Sequence, residues 1–107
     1  MNKSSLVAEV TGIHLARMSM LIDKGRDYAN EDILSNFKRM SRLTEILGIT
    51  PSSSSTDCAL FLALLKLDRW CNLRRQKVSP TNESLKDTIQ DLHNYIDLAY
   101  CCSFDDG

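Results

Sequence analysis

The chain has 107 residues, of which 43% are hydrophobic and 25% are charged, and its formal net charge at pH 7 is −1. This length supports one hydrophobic core, and the composition is typical of a folded protein in solution rather than of a disordered chain. A net charge so close to zero excludes a global basic field, so we expect neither duplex nucleic acid nor a membrane as a partner. We therefore expect a single domain over residues 1–107.

The N-terminal segment predicts a first helix over about residues 5–24. Its apolar residues cluster on one side of a helical wheel, with Arg17 and Lys24 near the middle of the same side. Lys24-Gly25 is expected to end this helix in a loop that contains Arg26, Asp27 and Tyr28. The segment lacks the continuous apolar stretch of a secretion signal, so we expect a cytoplasmic protein.

A second helix is predicted over about residues 31–47. Asn30 is placed to cap its N-terminus, and Gly48 is placed to end it. The apolar stripe of this helix consists of Ile33, Phe37, Met40 and Leu47.

The third helix, predicted over about residues 55–77, carries the most apolar stretch of the chain. Ser54 and Asp57 have the spacing of a capping box at its start. Residues 58–65 are all apolar, and a helix that is apolar on every side needs partners on every side. We therefore expect this helix at the centre of the molecule.

The fourth helix is predicted over about residues 83–100, with Asn82 as its cap. Cys101 and Cys102 are then expected in a frayed tail. The apolar stripe of the fourth helix consists of Leu85, Ile89, Leu92, Ile96 and Ala99. Four helices joined by short loops predict an all-α protein with the architecture of an antiparallel four-helix bundle.

Two cations of the third helix are the starting point for function, because Lys66 and Arg69 share a face with apolar residues. Unpaired burial of a charge costs several kcal/mol, so both need anionic partners. The fourth helix offers a row of polar residues, most of them acidic: Glu83, Asp87, Asp91 and Asn94. The acids either form a solvated face, or pair with Lys66 and Arg69 across two packed helices, or bind a divalent ion through carboxylates one turn apart.

Four blocks of residues, taken together, resemble a family of small phage-encoded proteins described as nucleotide-modification-associated domains. The blocks are Lys24-x-x-Asp27-Tyr28, Asn36-Phe37, Leu65-Lys66-Leu67-x-Arg69 and Glu83-Ser84-Leu85-x-Asp87-Thr88-x-x-Asp91-Leu92-x-Asn94-Tyr95. The resemblance covers roughly residues 20–100. It implies a phage accessory protein in the cytoplasm of a bacterial host, with a nucleotide as its ligand.

The leading hypothesis is therefore a non-catalytic protein, needing no cofactor, that binds a nucleotide and sequesters a signalling nucleotide of bacterial antiviral defence. Tyr28 would stack on the base. Phosphates would be held by Lys24, Arg26, Lys66 and Arg69, and polar groups would be read by Asp27, Asn36, Asp87, Asp91 and Asn94. So small a bundle is expected to build its pocket between subunits, which predicts a homo-oligomer.

A more distant resemblance, to the MazG-like all-α nucleotide pyrophosphohydrolases, supplies an alternative. Those enzymes bind magnesium through acidic pairs on two helices, and here Glu83, Asp87 and Asp91 would be the metal ligands. This chain has Lys66 and Arg69 where the second acidic pair would be expected, so the two-helix acidic cage is incomplete. A third hypothesis is a protein-only inhibitor that docks on a host complex through the acidic row.

Overall fold

The computed structural model describes residues 1–28, 34–76 and 84–106, and the side chains of all of these except 25–28. These ranges contain four helices and no strands: α1 (Lys3–Tyr28), α2 (Ser35–Leu47), α3 (Ser55–Gln76) and α4 (Leu85–Asp105). The all-α class predicted from the sequence is confirmed.

α3 is the helix on which the others pack. It runs along α4 over an extensive contact and makes smaller contacts with α1 and α2. The molecule measures 55 × 35 × 25 Å with a radius of gyration of 17.5 Å, whereas a compact domain of this length has a radius of gyration of about 13 Å. The described contacts therefore show a dense α3–α4 pair with α1 and α2 attached to α3, and they do not confirm the antiparallel four-helix bundle.

The start of α3 follows the capping prediction. The N–H of Asp57 donates to the Ser54 hydroxyl over 3.0 Å. The Asp57 carboxylate accepts hydrogen bonds from the Thr50 N–H at 2.8 Å and from the Ser53 hydroxyl at 3.0 Å. The bond from Thr50, and after it the bond from Ser53, lower the pKa of the Asp57 carboxyl. These bonds satisfy groups at the helix N-terminus and fix the beginning of α3 at Ser55.

Burial along α3 is concentrated in the half that carries charge. The contacts with all three other helices confirm its central position. In the apolar half, however, Cys58 is exposed, Leu60 is 36% exposed, and Ala63 is the buried residue. The other buried residues of α3 are Asp68, Arg69, Asn72 and Leu73. The centre of the molecule is therefore more polar than the apolar run of α3 predicts.

α4 begins at Leu85, where the Ser84 hydroxyl accepts a hydrogen bond from the Asp87 N–H over 3.1 Å. Asn82, the predicted cap, lies outside the described residues. The helix continues to Asp105, five residues beyond its predicted end, so Cys101 and Cys102 are helical. The prediction of a frayed tail is wrong.

The reason that α4 extends so far lies in its contact with the start of α3. The Asp106 carboxylate accepts hydrogen bonds from the Ser55 hydroxyl at 2.6 Å and from the Thr56 N–H at 2.7 Å, and it also accepts one from the Thr56 hydroxyl. Bonds from Ser55 and Thr56 lower the pKa of the Asp106 carboxyl from 3.8 to about 2. A carboxylate beside a helix N-terminus is favoured by the dipole of that helix. Asp106 therefore joins the end of one helix to the beginning of the other.

α2 begins at Ser35, later than the predicted start at residue 31, and no side chain caps it at Leu34. Asn30, predicted as the cap, lies outside the described residues. The end of α2 agrees with the prediction. Gly48 adopts a left-handed conformation with φ of 71°, and its N–H donates to the carbonyl oxygen of Glu45 over 3.2 Å. Glycine adopts this conformation without the steric cost of a Cβ atom.

α1 continues through Gly25 to Tyr28, so the predicted break at Lys24-Gly25 is wrong. A glycine inside a helix costs only about 1 kcal/mol relative to alanine, which does not by itself end a helix. The described side chains of α1 are exposed except that of Asp23, which is half-buried, and its large apolar residues from Leu6 to Ile22 are between 47% and 71% exposed. The segment Lys3–Lys24 is long and apolar enough to cross a membrane, and none of its most apolar part is buried.

Candidate functional site

The most deeply buried side chains of the described residues are polar and form a layer between α3 and its neighbours. Arg69 is 1% exposed, and Asn72 and Thr88 are 0% exposed. The Arg69 guanidinium donates to the Thr88 hydroxyl, and this hydroxyl in turn donates to the carbonyl oxygen of Ser84 over 3.3 Å. Arg75 donates to the Asn72 side-chain oxygen over 3.4 Å. The first of these contacts, from Arg69 to Thr88, ties α3 to the first turn of α4.

A second part of the polar layer joins α2 to α3. The Arg39 Nε donates to Asp68 Oδ1 over 2.7 Å, and its Nη2 donates to Oδ2 over 3.1 Å. This two-bond geometry is the strong form of an arginine–carboxylate pair. The Asp68 side chain is 4% exposed and that of Arg39 is 26% exposed. The hydrogen bond to Asp68 raises the pKa of Arg39, against the lowering effect of burial.

Sequence reasoning did not find the Arg39–Asp68 pair. The two residues are 29 positions apart, so local spacing gives no indication that they meet.

Lys66 has one of the carboxylate partners that the sequence offered. Its Nζ lies 3.3 Å from Asp91 Oδ2, and the two side chains are 15% and 43% exposed. The cross-helix pairing predicted between these two residues is therefore present. Because the Asp91 side chain is so exposed, solvent screens the pair, and such pairs contribute about 1 kcal/mol or less. Lys66 is held on the α4 side of α3 by this contact.

The other residues predicted for the site are scattered over the described surface and interior. Lys24, Asp87 and Asn94 are exposed, whereas Asn36 is 6% exposed and belongs to the interior of α2. The side chains of Arg26, Asp27 and Tyr28, and all of Glu83, lie outside the described part of the chain. The structure thus brings Lys66 and Asp91 into direct contact, and it places Arg69 against Thr88.

The magnesium alternative requires several carboxylates at one point. Within residues 1–24, 34–76 and 84–106, no three His, Cys, Asp or Glu side chains are grouped closely enough to hold a metal ion. Of the three proposed ligands, Asp91 faces the Lys66 ammonium, Asp87 is exposed beside the cap of α4, and Glu83 is not described.

An open groove lies along the outer face of α2. Its cavity volume is about 630 Å³ and its lining is mostly apolar, which is within the range of small-molecule sites. Phe37 is 66% exposed and Leu34 is 56% exposed. The described residues that line it are Leu34, Phe37, Lys38, Ser41 and Arg42. These residues recur at the spacing of one helix face, so α2 alone presents an aromatic ring, a hydroxyl and two cations on the same side.

Phe37 is the one residue of this groove that sequence reasoning had singled out, and its predicted placement was wrong. Phe37 and Leu47 were assigned to the apolar stripe of α2 with Met40. Met40 is buried at 5% exposure, whereas Phe37 and Leu47 are 66% and 59% exposed. α2 turns Asn36 and Met40 inward instead, because Arg39 must reach Asp68 from the same side. This rotation places Phe37 in the groove.

Comparison with protein-family models, with curated protein sequences and with solved structures finds no match to this chain. The described structure is that of an all-α protein with a buried polar layer around α3 and a groove on α2 that is lined by two cations.

Proposed function

We propose that the chain binds a phosphate-bearing small molecule of the nucleotide class in the groove on α2. The observation that carries the proposal is the exposed ring of Phe37 in the same mostly apolar groove as two cations, Lys38 and Arg42. Stacking of a base on an aromatic side chain contributes about 1–3 kcal/mol and tolerates any base. Arginine and lysine bind phosphate oxygens through charge-assisted hydrogen bonds, and Ser41 adds a hydroxyl.

The proposal moves the phosphate-binding role from α3 to α2. Arg69 is 1% exposed and bonded to Thr88, so a phosphate would have to separate α4 from α3 to reach it. Lys66 faces Asp91. Lys38 and Arg42 are exposed, and a ligand in the groove can reach both without disturbing the α3–α4 contact.

The resemblance to phage-encoded nucleotide-modification-associated domains supplies the biological setting of the proposal. It favours an accessory protein in the cytoplasm of a bacterial host that sequesters a signalling nucleotide of antiviral defence. The groove supports such a role because its aromatic ring and its two cations supply the stacking and phosphate contacts that hold a nucleotide.

Isothermal titration calorimetry against a panel of mono-, di- and cyclic nucleotides tests the proposal. We expect micromolar or tighter binding of at least one nucleotide. We expect Phe37→Ala and Arg42→Ala each to weaken binding by about 10-fold or more. Phe37→Trp keeps an aromatic surface and should retain binding, and Arg74→Ala removes an exposed arginine of α3 as a matched control. The absence of heat for every nucleotide, or an equal loss in Arg74→Ala, would refute the proposal.

A separate assay distinguishes magnesium-dependent hydrolysis of the same ligands from simple binding. Pyrophosphate released from a nucleoside triphosphate in the presence of Mg²⁺, and abolished both by EDTA and by Asp87→Ala, would favour the pyrophosphohydrolase over simple binding. We expect the nucleotide to be recovered unchanged after incubation.

A further inference from the structure

Besides the groove on α2, two further faces of the described residues carry large exposed apolar side chains, one on α1 and one on α4. The first is α1, whose apolar residues from Leu6 to Ile22 are about half exposed or more. The second is a stripe on α4, with Leu85 38%, Ile96 51%, Tyr100 68% and Phe104 69% exposed. Large exposed apolar patches on a protein surface mark sites of interaction.

The α4 stripe is exposed because of how α4 packs on α3. The buried residues of α4 are Thr88 and Ala99, and at about 100° per residue they lie to one side of the line through Leu85, Ile96 and Tyr100. α3 therefore covers one flank of the apolar face of α4 and leaves the other uncovered. In a closed four-helix bundle a further helix would lie there.

α1 has the length and the apolar residues to fill this position, but within one chain it contacts α3 and stays exposed. The apolar part of α1 from Leu6 to Ile22 is about 24 Å long, and the α4 stripe from Leu85 to Phe104 is about 29 Å long, at 1.5 Å per residue. We propose that α1 of one copy packs on the α4 stripe of a second copy, and that the second copy returns the same contact.

The area of such a contact meets the requirement of a stable dimer. A 22-residue helix is about 33 Å long and about 10 Å wide, so covering half of its side wall buries roughly 500 Å². Two reciprocal contacts cover four helix faces and bury roughly 2,000 Å², which is the size of a specific, stable interface. A contact between the two α1 helices alone would bury roughly 1,000 Å², which only reaches the lower limit of a biological interface.

Charge also favours the pairing of α1 with α4. Among their described side chains, α1 carries Lys3, Arg17 and Lys24 against Glu9 and Asp23, whereas α4 carries Lys86 against Asp87, Asp91, Asp97 and Asp105. The net charges of the two helices therefore have opposite signs, while two copies of α4 would repel each other.

A lipid bilayer is the other environment that would cover α1, and two observations favour the second copy. Glu9 and Arg17 lie within the apolar part of α1, and a charged residue near the middle of a membrane-spanning helix costs about 2.5–3.5 kcal/mol. In a helix–helix contact Glu9 lies at the edge, and the long Arg17 side chain, which starts near the middle of the apolar side, can extend along the surface to the solvent. Membrane insertion of α1 would also leave the α4 stripe uncovered.

Sedimentation velocity of the full chain between 1 and 100 µM tests the pairing. We expect a species with twice the 12.1 kDa mass of one chain. Ile13→Lys in the middle of α1, and Ile96→Glu in the middle of α4, should each weaken the dimer by roughly 100-fold or more, because each buries a charge in both contacts. Leu98→Glu is the matched control, since Leu98 is 54% exposed on the opposite side of α4 and should leave the dimer intact.

Mixing the two variants identifies the partner faces. Ile13→Lys and Ile96→Glu combined in equal amounts should form a heterodimer, because one contact then pairs lysine with glutamate and the other is unaltered. Recovery of the dimer in the mixture excludes a contact between the two α1 helices. A chain that is monomeric at 100 µM, a dimer that survives both variants, or a monomer that floats with phosphatidylcholine–phosphatidylglycerol vesicles would overturn the proposal. None of these outcomes depends on the nucleotide proposed for α2.

Discussion

α1 and the α3–α4 pair are built from helices of similar length, but the pair buries polar side chains whereas α1 leaves apolar side chains exposed. The pair buries Arg69, Asn72 and Thr88 almost completely. The segment Lys3–Lys24 of α1 is long and apolar enough to span a membrane, and none of its most apolar part is buried. In this chain, therefore, specific hydrogen bonds hold α4 on α3 in the core. The long apolar surface of α1 faces outward.

This contrast has an energetic reason in each region. In the polar layer, each buried group has a partner, and among the described residues no buried side-chain nitrogen or oxygen lacks a hydrogen bond. Buried polar groups cost little when they are bonded in this way and cost a great deal when one partner is removed. On α1, by contrast, the large apolar side chains are about half exposed or more, so loss of one of them removes little contact within the chain. Mutations should therefore affect folding in the pair and association in α1.

The largest effect is expected from breaking the pair between α2 and α3. Arg39→Met leaves the Asp68 carboxylate, whose side chain is 4% exposed, without its guanidinium. We expect a loss of about 3 kcal/mol in the free energy of unfolding. Urea denaturation at pH 7 measures it, with Arg42→Met, an exposed arginine of the same helix, as the control that should change stability by about 0.5 kcal/mol or less.

The double variant Arg39→Met with Asp68→Leu sharpens the same test. Because both charges are then removed, most of the lost stability should return. If Arg39→Met costs no more than Arg42→Met, the polar layer does not hold α2 on α3, and the contrast between the two regions fails.

The sequence predicts the helices of this chain better than it predicts which sides of them meet. The capping by Ser54 and Asp57 and the end of α2 at Gly48 depend on residues close in the chain, so spacing alone is sufficient to find them. The all-α class follows from such local patterns. The side of α4 that faces α3 follows only in part. Ala99 of the predicted stripe is buried there, whereas Ile96 is 51% exposed and Thr88, which is outside the stripe, is buried and bonded to Arg69.

The candidate site, like the helix contacts, could be predicted from the sequence only in part. The Lys66–Asp91 pair could be predicted, since both residues stand out as charges on facing helices. The groove could not, because Phe37 reads as a core residue in any helical wheel of α2. Its exposure depends on Arg39 reaching Asp68, which lies 29 residues further along the chain.

A second prediction applies one substitution to both regions. Ala99→Leu inserts a larger side chain where Ala99 is 4% exposed against α3, and overpacking of this kind costs about 1–3 kcal/mol. Ala16→Leu makes the same change on α1 at an exposed position, where we expect a change of about 0.5 kcal/mol or less. Thermal unfolding followed by circular dichroism compares the two. Equal destabilisation would mean that α1 is packed as tightly as α4.

The smallest effect is expected at the end of the α3–α4 pair, where the Asp106 carboxylate is exposed and solvent screens its interactions. Its hydrogen bonds to Ser55 and Thr56 hold its pKa at about 2, below the ordinary value of 3.8. A carboxyl whose pKa is lowered by folding stabilises the protein fully above the pKa of the unfolded chain, and this contribution is lost as the pH falls through the folded value. The stability due to Asp106 should therefore be complete at pH 7 and should disappear between about pH 4 and pH 2.

Asp106→Asn should lower the melting temperature by a few degrees at pH 7, and the difference from the unaltered protein should vanish near pH 2. Asp105→Asn, one residue earlier on the same exposed helix end, is the matched control and should show the pH dependence of the unaltered protein. If Asp106→Asn and Asp105→Asn gave the same melting temperatures across this pH range, Asp106 would not join α4 to the start of α3.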